Sequence, residues 1–152
     1  MNGPHLHLLL NHVPVIATPI GLVVLLLGLF KKNREFVTVG LGIVVAAALM
    51  TVPTYLTGEP AADVVGNIEG VPSELIERHE DVAGQAFAVI GLAGLAGLVA
   101  LFMQWRGRAV PKALMWATVV LTVAASVWLG VTANFGGEIR HSEIRSAETP
   151  GH

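Results

Sequence analysis

The chain has 152 residues, of which 53% are hydrophobic and 13% charged, and its formal net charge is −2. Soluble domains carry roughly 25% charged residues, so this composition and a mean hydropathy of +0.67 indicate an integral membrane protein. The negative charge and the lack of a basic cluster argue against nucleic-acid binding. Cysteine is absent, which excludes disulfides, thiolate-bound metals, iron–sulfur clusters and covalently attached c-type haem.

Four apolar segments are long enough to cross a bilayer, which takes about 20 residues in a helix. They cover residues 8–30, 36–56, 82–103 and 113–133. Pro14 and Pro19 lie in the first turns of the first segment and predict a kink or local unwinding there. Short connections follow the first and third segments, and a long loop follows the second. The sequence thus predicts an all-α integral membrane fold: an antiparallel four-helix transmembrane bundle as one domain over residues 1–145, with a flexible tail at 146–152.

The charges predict the orientation of this bundle. Most of the basic residues fall in the two short loops, which the positive-inside rule puts in the cytoplasm: Lys31, Lys32, Arg34, Arg106, Arg108 and Lys112. Every acidic residue except Glu35 lies on the other side. Trp105 and Trp116 mark the cytoplasmic interface, and Tyr55 and Trp128 the outer one. We therefore expect a multi-pass protein of the bacterial inner membrane with both termini outside.

All the histidines fall on the predicted outer side. An ionisable side chain at a membrane boundary is costly without a partner, so each is a candidate site residue. We assign His152, near the chain end, to the solvated tail. The other five predict one cofactor or metal site: His5, His7, His12, His79 and His141.

Helix geometry relates these histidines to one another. At 1.5 Å per residue, His79 matches His5 and His7 in height above the cytoplasmic loops, and His12 lies about two turns lower. His5 and His12 are seven residues apart and share a helix face, whereas His7 points roughly the opposite way. The prolines that follow leave this pairing open.

The long outer loop contains signals for short helices. Glu59 followed by Pro60 suits a helix start, and Ser73 suits the cap of a helix that continues into the third span. Two carboxylates are predicted to orient a histidine ring as hydrogen-bond acceptors, Glu59 and Glu80. The alternative for most acidic residues here is a solvated surface.

Glycines recur in the loop after the fourth span and within the spans. Residues 134–137 (Asn-Phe-Gly-Gly) predict a helix stop, after which the chain can turn back and bring His141 toward His12 or His79. A solvated C-terminal tail is the alternative. Small residues in the first and third spans predict close helix packing, or room for a flat macrocycle beneath His79: Gly21, Gly28, Gly84, Ala88, Gly91, Gly94 and Gly97.

The leading hypothesis is a membrane-bound b-type cytochrome with one or two haems near the outer face. Histidines from facing helices of a bundle can ligate haem axially. The first pair would be His79 with His5 or His7, and a second pair would be His12 with His141. Such a protein would be an electron carrier rather than a stand-alone catalyst. It would serve a quinone or a periplasmic redox protein, as a homo-oligomer or as a subunit of a larger complex.

Two other functions stay open from the residues alone. The same five histidines, with Glu59 or Glu80, would suit a non-haem copper, zinc or iron site, since thiolate ligands are absent. A structural accessory subunit without a cofactor is the third possibility. The spans carry no Asp, Glu, Lys or Arg apart from the outer rim, so an ion or proton transporter is disfavoured.

Four motifs carry a resemblance to known sequences. They are His-x-His-x₄-His-Val-Pro-Val at 5–15, Tyr-Leu-Thr-Gly-Glu-Pro-Ala at 55–61, Glu-Arg-His-Glu at 77–80 and Asn-Phe-Gly-Gly-Glu-Ile-Arg-His at 134–141. This pattern resembles a family of small bacterial four-helix membrane proteins and, more loosely, a membrane domain family of unknown function. The resemblance covers nearly the whole chain. It implies that His5, His7, His12, His79 and His141 belong to one site, and it implies no particular activity.

Overall fold

A computed structural model describes residues 3–145. This part of the chain is helical, with no strand among the described residues. Its elements are α1 (Gly3–Leu10), α2 (His12–Phe30), α3 (Arg34–Leu56), α4 (Gly58–Val65), α5 (Ser73–Trp105), α6 (Lys112–Arg140) and a 3₁₀ turn at Ser142–Ile144. The predicted tail at 146–152, with His152, lies outside the described residues.

Four helical segments are long and apolar enough to cross a membrane: α1 with α2, α3, α5 and α6. The predicted all-α integral membrane fold is therefore confirmed. The main helices pack in a ring, α2 on α3, α3 on α5, α5 on α6, and α6 back on α2. We call the end that carries α1, α4 and the 3₁₀ turn the histidine end, and the opposite end, with the α2–α3 and α5–α6 connections, the basic end.

The first membrane helix is interrupted at Asn11, between α1 and α2. Pro14 has no N–H, so the carbonyl of Leu10 lacks the donor that would continue the helical ladder. The interruption is slight, because Asn11 keeps helical backbone angles and its N–H donates to the carbonyl of His7 at 2.9 Å. The predicted local unwinding is therefore not found. Pro19, in contrast, lies inside α2 without ending it.

The two predicted helix starts in the loop are found, but the predicted cap and the predicted stop are not. Helix α4 begins at Gly58, beside Glu59, and α5 begins at Ser73. Ser73 is not the cap, because Pro72 takes the capping position and no side-chain cap hydrogen bond forms. The predicted stop at residues 134–137 is absent, because α6 continues to Arg140. Glycine loses more conformational entropy in a helix than other residues do, and close packing against His79 and Ile144 offsets this cost. A Cβ on Gly136 would lie 3.1 Å from His79 Cε1, and one on Gly137 3.4 Å from Ile144 Cδ1.

The bundle consists of two halves with matching buried positions. The first half comprises α1, α2 and α3, and the second half comprises α5 and α6. His7 and His79 are 72 residues apart, and at this same spacing every buried residue of α2 has a buried counterpart in α5. The pairs are Pro14–Ala86, Thr18–Ile90, Gly21–Ala93, Leu25–Gly97 and Gly28–Ala100.

Helices α3 and α6 match in the same way at a spacing of 78 residues. Five buried pairs coincide: Gly40–Thr118, Leu41–Val119, Val44–Thr122, Ala47–Ala125 and Thr51–Leu129. The ring of helix contacts has the same symmetry, since α2–α3 corresponds to α5–α6 and α3–α5 corresponds to α6–α2. The fold is therefore an internal repeat of a helix pair, with an approximate two-fold axis along the bundle.

Candidate functional site

His7 is held by the end of α3. Its Nδ1–H donates to the main-chain carbonyl of Thr54 at 3.0 Å, with Thr57 Oγ1 also near at 3.3 Å. A carbonyl can only accept a hydrogen bond, so Nδ1 carries the proton and a neutral ring keeps its lone pair on Nε2. A Cβ on Gly58 would lie 3.8 Å from the ring Cε1, so the glycine leaves room beside the imidazole.

His79 is held in the same way by α6. Its Nδ1–H donates to the carbonyl of Thr132 at 3.0 Å, which again leaves the Nε2 lone pair unused in the neutral ring. Gly136 lies against the ring, because a Cβ there would be 3.1 Å from Cε1 and 3.4 Å from Nδ1. A larger side chain at residue 136 would move the imidazole.

The two histidine sites are equivalent under the internal repeat. Thr54 and Gly58 are four residues apart, as are Thr132 and Gly136, and each pair is related by the 78-residue spacing of α3 and α6. His7 and His79 each lie two turns before the first matched buried pair, so both share the bundle-facing side of their helices. Both imidazoles therefore lie at the histidine end of the bundle, one in each half.

The arrangement is the one that metal-bound imidazoles use. A ligating histidine usually donates one ring N–H to a carbonyl or carboxylate and binds the metal through the other nitrogen. Within residues 3–145, no group of three or more histidine or acidic residues is placed to hold a metal ion. Two neutral imidazoles, one from each half, would suit the iron of a haem, and the glycines beside the rings add no side chain there.

The other predicted site histidines have contacts elsewhere. His12 is exposed, its Nδ1–H donates to Leu8 O at 2.9 Å, and it lines an apolar groove between α2 and α3. His5 lines a separate outward groove with Leu8 and Leu9. This agrees with the predicted shared face of His5 and His12, opposite His7. His141 is exposed and bonds Glu143 Oε1 at 2.9 Å.

The predicted orienting role of Glu59 and Glu80 is wrong for His7 and His79. Both carboxylates are exposed, and the acceptors of the two rings are the main-chain carbonyls of Thr54 and Thr132. These carbonyls belong to helices packed beside the histidines and are already fixed in position. A glutamate acceptor would instead have to lose side-chain freedom to hold the ring. A recurring signal was available in the sequence, since Thr-x₃-Gly occurs at the end of each half, at 54–58 and at 132–136.

Two further residues border the site. Asn11 lies one turn from His7 on the same helix face, and its Oδ1 is buried with no hydrogen-bond partner among the described residues. Arg78, next to His79, has its guanidinium carbon 4.5 Å from the centre of the Phe135 ring. Neither residue was predicted as part of a site. The sequence does not show that the Asn11 side-chain oxygen is buried, or that Phe135 lies beside Arg78.

The fold and the site together define a class: a four-helix integral membrane protein with one histidine from each half at the same end of the bundle. The chain belongs to the DUF2231 family of predicted membrane proteins, which matches residues 3–143. This confirms the resemblance to a family of membrane proteins. No curated protein and no solved structure matches the chain.

Proposed function

We propose that this protein is a membrane-bound b-type cytochrome that carries electrons, in which His7 and His79 would hold one haem. One observation carries the proposal: equivalent histidines of the two halves each donate Nδ1–H to a carbonyl of the neighbouring helix. The Nε2 lone pair of each neutral ring is thereby available for iron. The haem would supply a one-electron change at its iron.

The protein's own residues have separate roles in this proposal. The carbonyls of Thr54 and Thr132 fix the orientation of the rings and make each imidazole a better donor to a metal. The apolar core below the site, which includes Ile90, Ala93 and Leu129, excludes water from the bundle interior.

The internal repeat supports one haem rather than two. The counterparts of the remaining described histidines are not histidines: His5 corresponds to Glu77, His12 to Gly84 and His141 to Asp63. Only His7 and His79 form an equivalent pair. A second haem between His12 and His141, which the sequence left open, has no such support, because His12 lines a groove on the outside of α2.

The orientation follows the positive-inside rule. We infer that the protein lies in the bacterial inner membrane, with its basic end in the cytoplasm and the proposed haem near the outer face. Among the described residues, the basic end has no histidine. Electrons would therefore enter and leave on the outer side, from a quinone within the bilayer or a periplasmic redox protein, with the chain acting in an oligomer or a larger complex.

The decisive test is an absorption spectrum of the detergent-purified protein, oxidised and then reduced with dithionite. We expect a Soret band, sharp α and β bands on reduction, and one haem per chain by pyridine haemochrome assay. A protein purified from haem-replete cells that shows no Soret band and takes up no added haemin would contradict the proposal. Elemental analysis for copper, zinc and iron would then separate a non-haem metal site from a structural subunit.

A further inference from the structure

Arg78 is held at the edge of the histidine site by an aromatic side chain. It directly precedes His79 on α5, and its guanidinium lies 4.5 Å from the centre of the Phe135 ring. Phe135 in turn directly precedes Gly136, where an added Cβ would lie 3.1 Å from the Cε1 atom of His79. The aromatic ring that holds the Arg78 guanidinium therefore belongs to the residue before the glycine nearest the His79 ring. Stacking of a guanidinium on an aromatic face uses the flat side of the group and leaves its N–H edge for an anion.

Arg78 has no ion-pair partner among the described residues, although its helix is acidic. Glu74 is four residues before it and Asp81 three residues after it, the spacings at which helical ion pairs form. The one ion pair within residues 3–145 is instead His141 with Glu143. Arg145 differs from Arg78, because it donates to the carbonyls at the end of α6.

We propose that Arg78 binds the carboxylate groups of the cofactor at this site, so that the ligand is an anionic macrocycle rather than a bare metal ion. The inference rests on the proposed haem at His7 and His79. A planar carboxylate accepts two parallel N–H bonds from a guanidinium, which is the geometry that arginine matches best. The counterpart of Arg78 in the first half is Leu6, so the anion would be held from the second half alone.

The experiment compares two forms of one macrocycle. The full-length protein, purified without haem from haem-limited cells, is titrated with haemin and with haemin dimethyl ester, which lacks the carboxylate charges. Binding is followed by the Soret band. Arg140→Gln is the matched control, because Arg140 is also an exposed arginine at the histidine end, in the last turn of α6. Helix content and gel-filtration profile establish that each variant is folded.

We expect the native protein to bind haemin about tenfold more tightly than the ester, the size of effect that a charge-assisted hydrogen bond gives. Arg78→Gln should bind haemin about as weakly as the ester, whereas Arg140→Gln should keep the preference. Arg78→Lys should keep part of it, because a lysine retains the charge without the planar fork.

Other results would overturn the inference in distinguishable ways. Equal losses in Arg78→Gln and Arg140→Gln would mean that general surface charge attracts the ligand. An unchanged preference in Arg78→Gln would remove Arg78 from the site, even with the haem proposal intact. If Arg78→Gln lost affinity only for vesicles containing phosphatidylglycerol, its anion would be a lipid phosphate. If the folded native protein bound neither haemin nor the ester, the proposed function itself would fail, and this inference with it.

Discussion

The two halves of the bundle share a buried framework and differ at its histidine end. Both halves contribute one histidine, one carbonyl acceptor and one glycine beside the ring. They differ where Asn11 interrupts the first membrane helix, since α5 runs unbroken through the equivalent position. They differ again at His12, whose counterpart is Gly84. The features that both halves keep are those that the proposed site needs, which singles out His7 and His79 from the other histidines.

The largest expected effect comes from removing either of the equivalent histidines. We expect His7→Ala and His79→Ala each to abolish the six-coordinate spectrum, and the double variant to be no worse than either single one, because both ligands serve one iron. His12→Ala and His141→Ala are the controls and should retain it. The measurement is the reduced spectrum with haem content per chain. If His12→Ala lost the haem spectrum while His7→Ala kept it, the haem would bind on the opposite face of the first membrane helix.

A second comparison concerns helix spacing within each half. Gly28 corresponds to Ala100, yet a Cβ on Gly28 would lie 2.5 Å from the backbone N of Val37. The pair α2–α3 is therefore too close at this point for the alanine that the second half carries. We expect Gly28→Ala to lower the free energy of unfolding by about 1–3 kcal/mol, the usual cost of overpacking, as measured by unfolding in mixed detergent micelles.

The control for that experiment is Gly91→Ala in α5. An added Cβ there meets no atom within 4 Å, and alanine favours a helix over glycine by about 1 kcal/mol. This variant should be as stable as the native protein or more so. If Gly28→Ala were equally harmless, the two halves would have the same helix spacing and the described approach of α2 to α3 would be wrong.

A smaller difference is expected between the glycines beside the rings. A Cβ at residue 136 would be 3.1 Å from the His79 ring, but one at residue 58 would be 3.8 Å from the His7 ring, which is ordinary contact. Gly136→Ala should therefore shift the reduced α band and weaken haem binding severalfold, whereas Gly58→Ala should do neither. If both variants shifted the α band and weakened haem binding equally, the space beside the two imidazoles would be the same, and the described difference in distance would be wrong.

The smallest effect concerns a contact found only in the second half. The backbone N–H of Glu143 and the hydrogen bond from His141 hold the pKa of the Glu143 carboxyl below its ordinary value of 4.5. Because the pKa is lower in the folded state, the contact stabilises the protein fully above the ordinary value of 4.5. This stabilisation is lost as the pH falls through the lowered pKa of the folded state. Glu143 is fully exposed, so the effect is small.

We expect Glu143→Gln to lower the midpoint of thermal unfolding slightly at pH 6 and by less at pH 3. A difference that is the same at both pH values would show that the carboxylate charge has no part in it.

The proposed site could be predicted from the sequence only in part. The histidines and their common end of the bundle follow from the lengths of the apolar segments and of the connections between them. Which histidines pair depends on helix rotation, and a sequence does not give the rotation of a helix that contains Pro14 and Pro19. The hydrogen-bond acceptors of the two imidazoles could not be predicted, because every residue has the same main-chain carbonyl. A sequence marks candidate carboxylates such as Glu59 and Glu80, but it does not mark the carbonyls of Thr54 and Thr132.

The sequence by itself determined the four spans, because a bilayer-long apolar segment has few alternatives to a helix. It also contained the internal repeat, although at matched positions the residues differ, as with Leu25 and Gly97. Only the tertiary structure decided that His7 and His79 face the bundle while His5 and His12 face outward. It also kept α6 helical through Gly136 and Gly137. The physical reason is packing: a neighbouring helix supplies the hydrogen-bond acceptor and the contact surface that local sequence preference lacks.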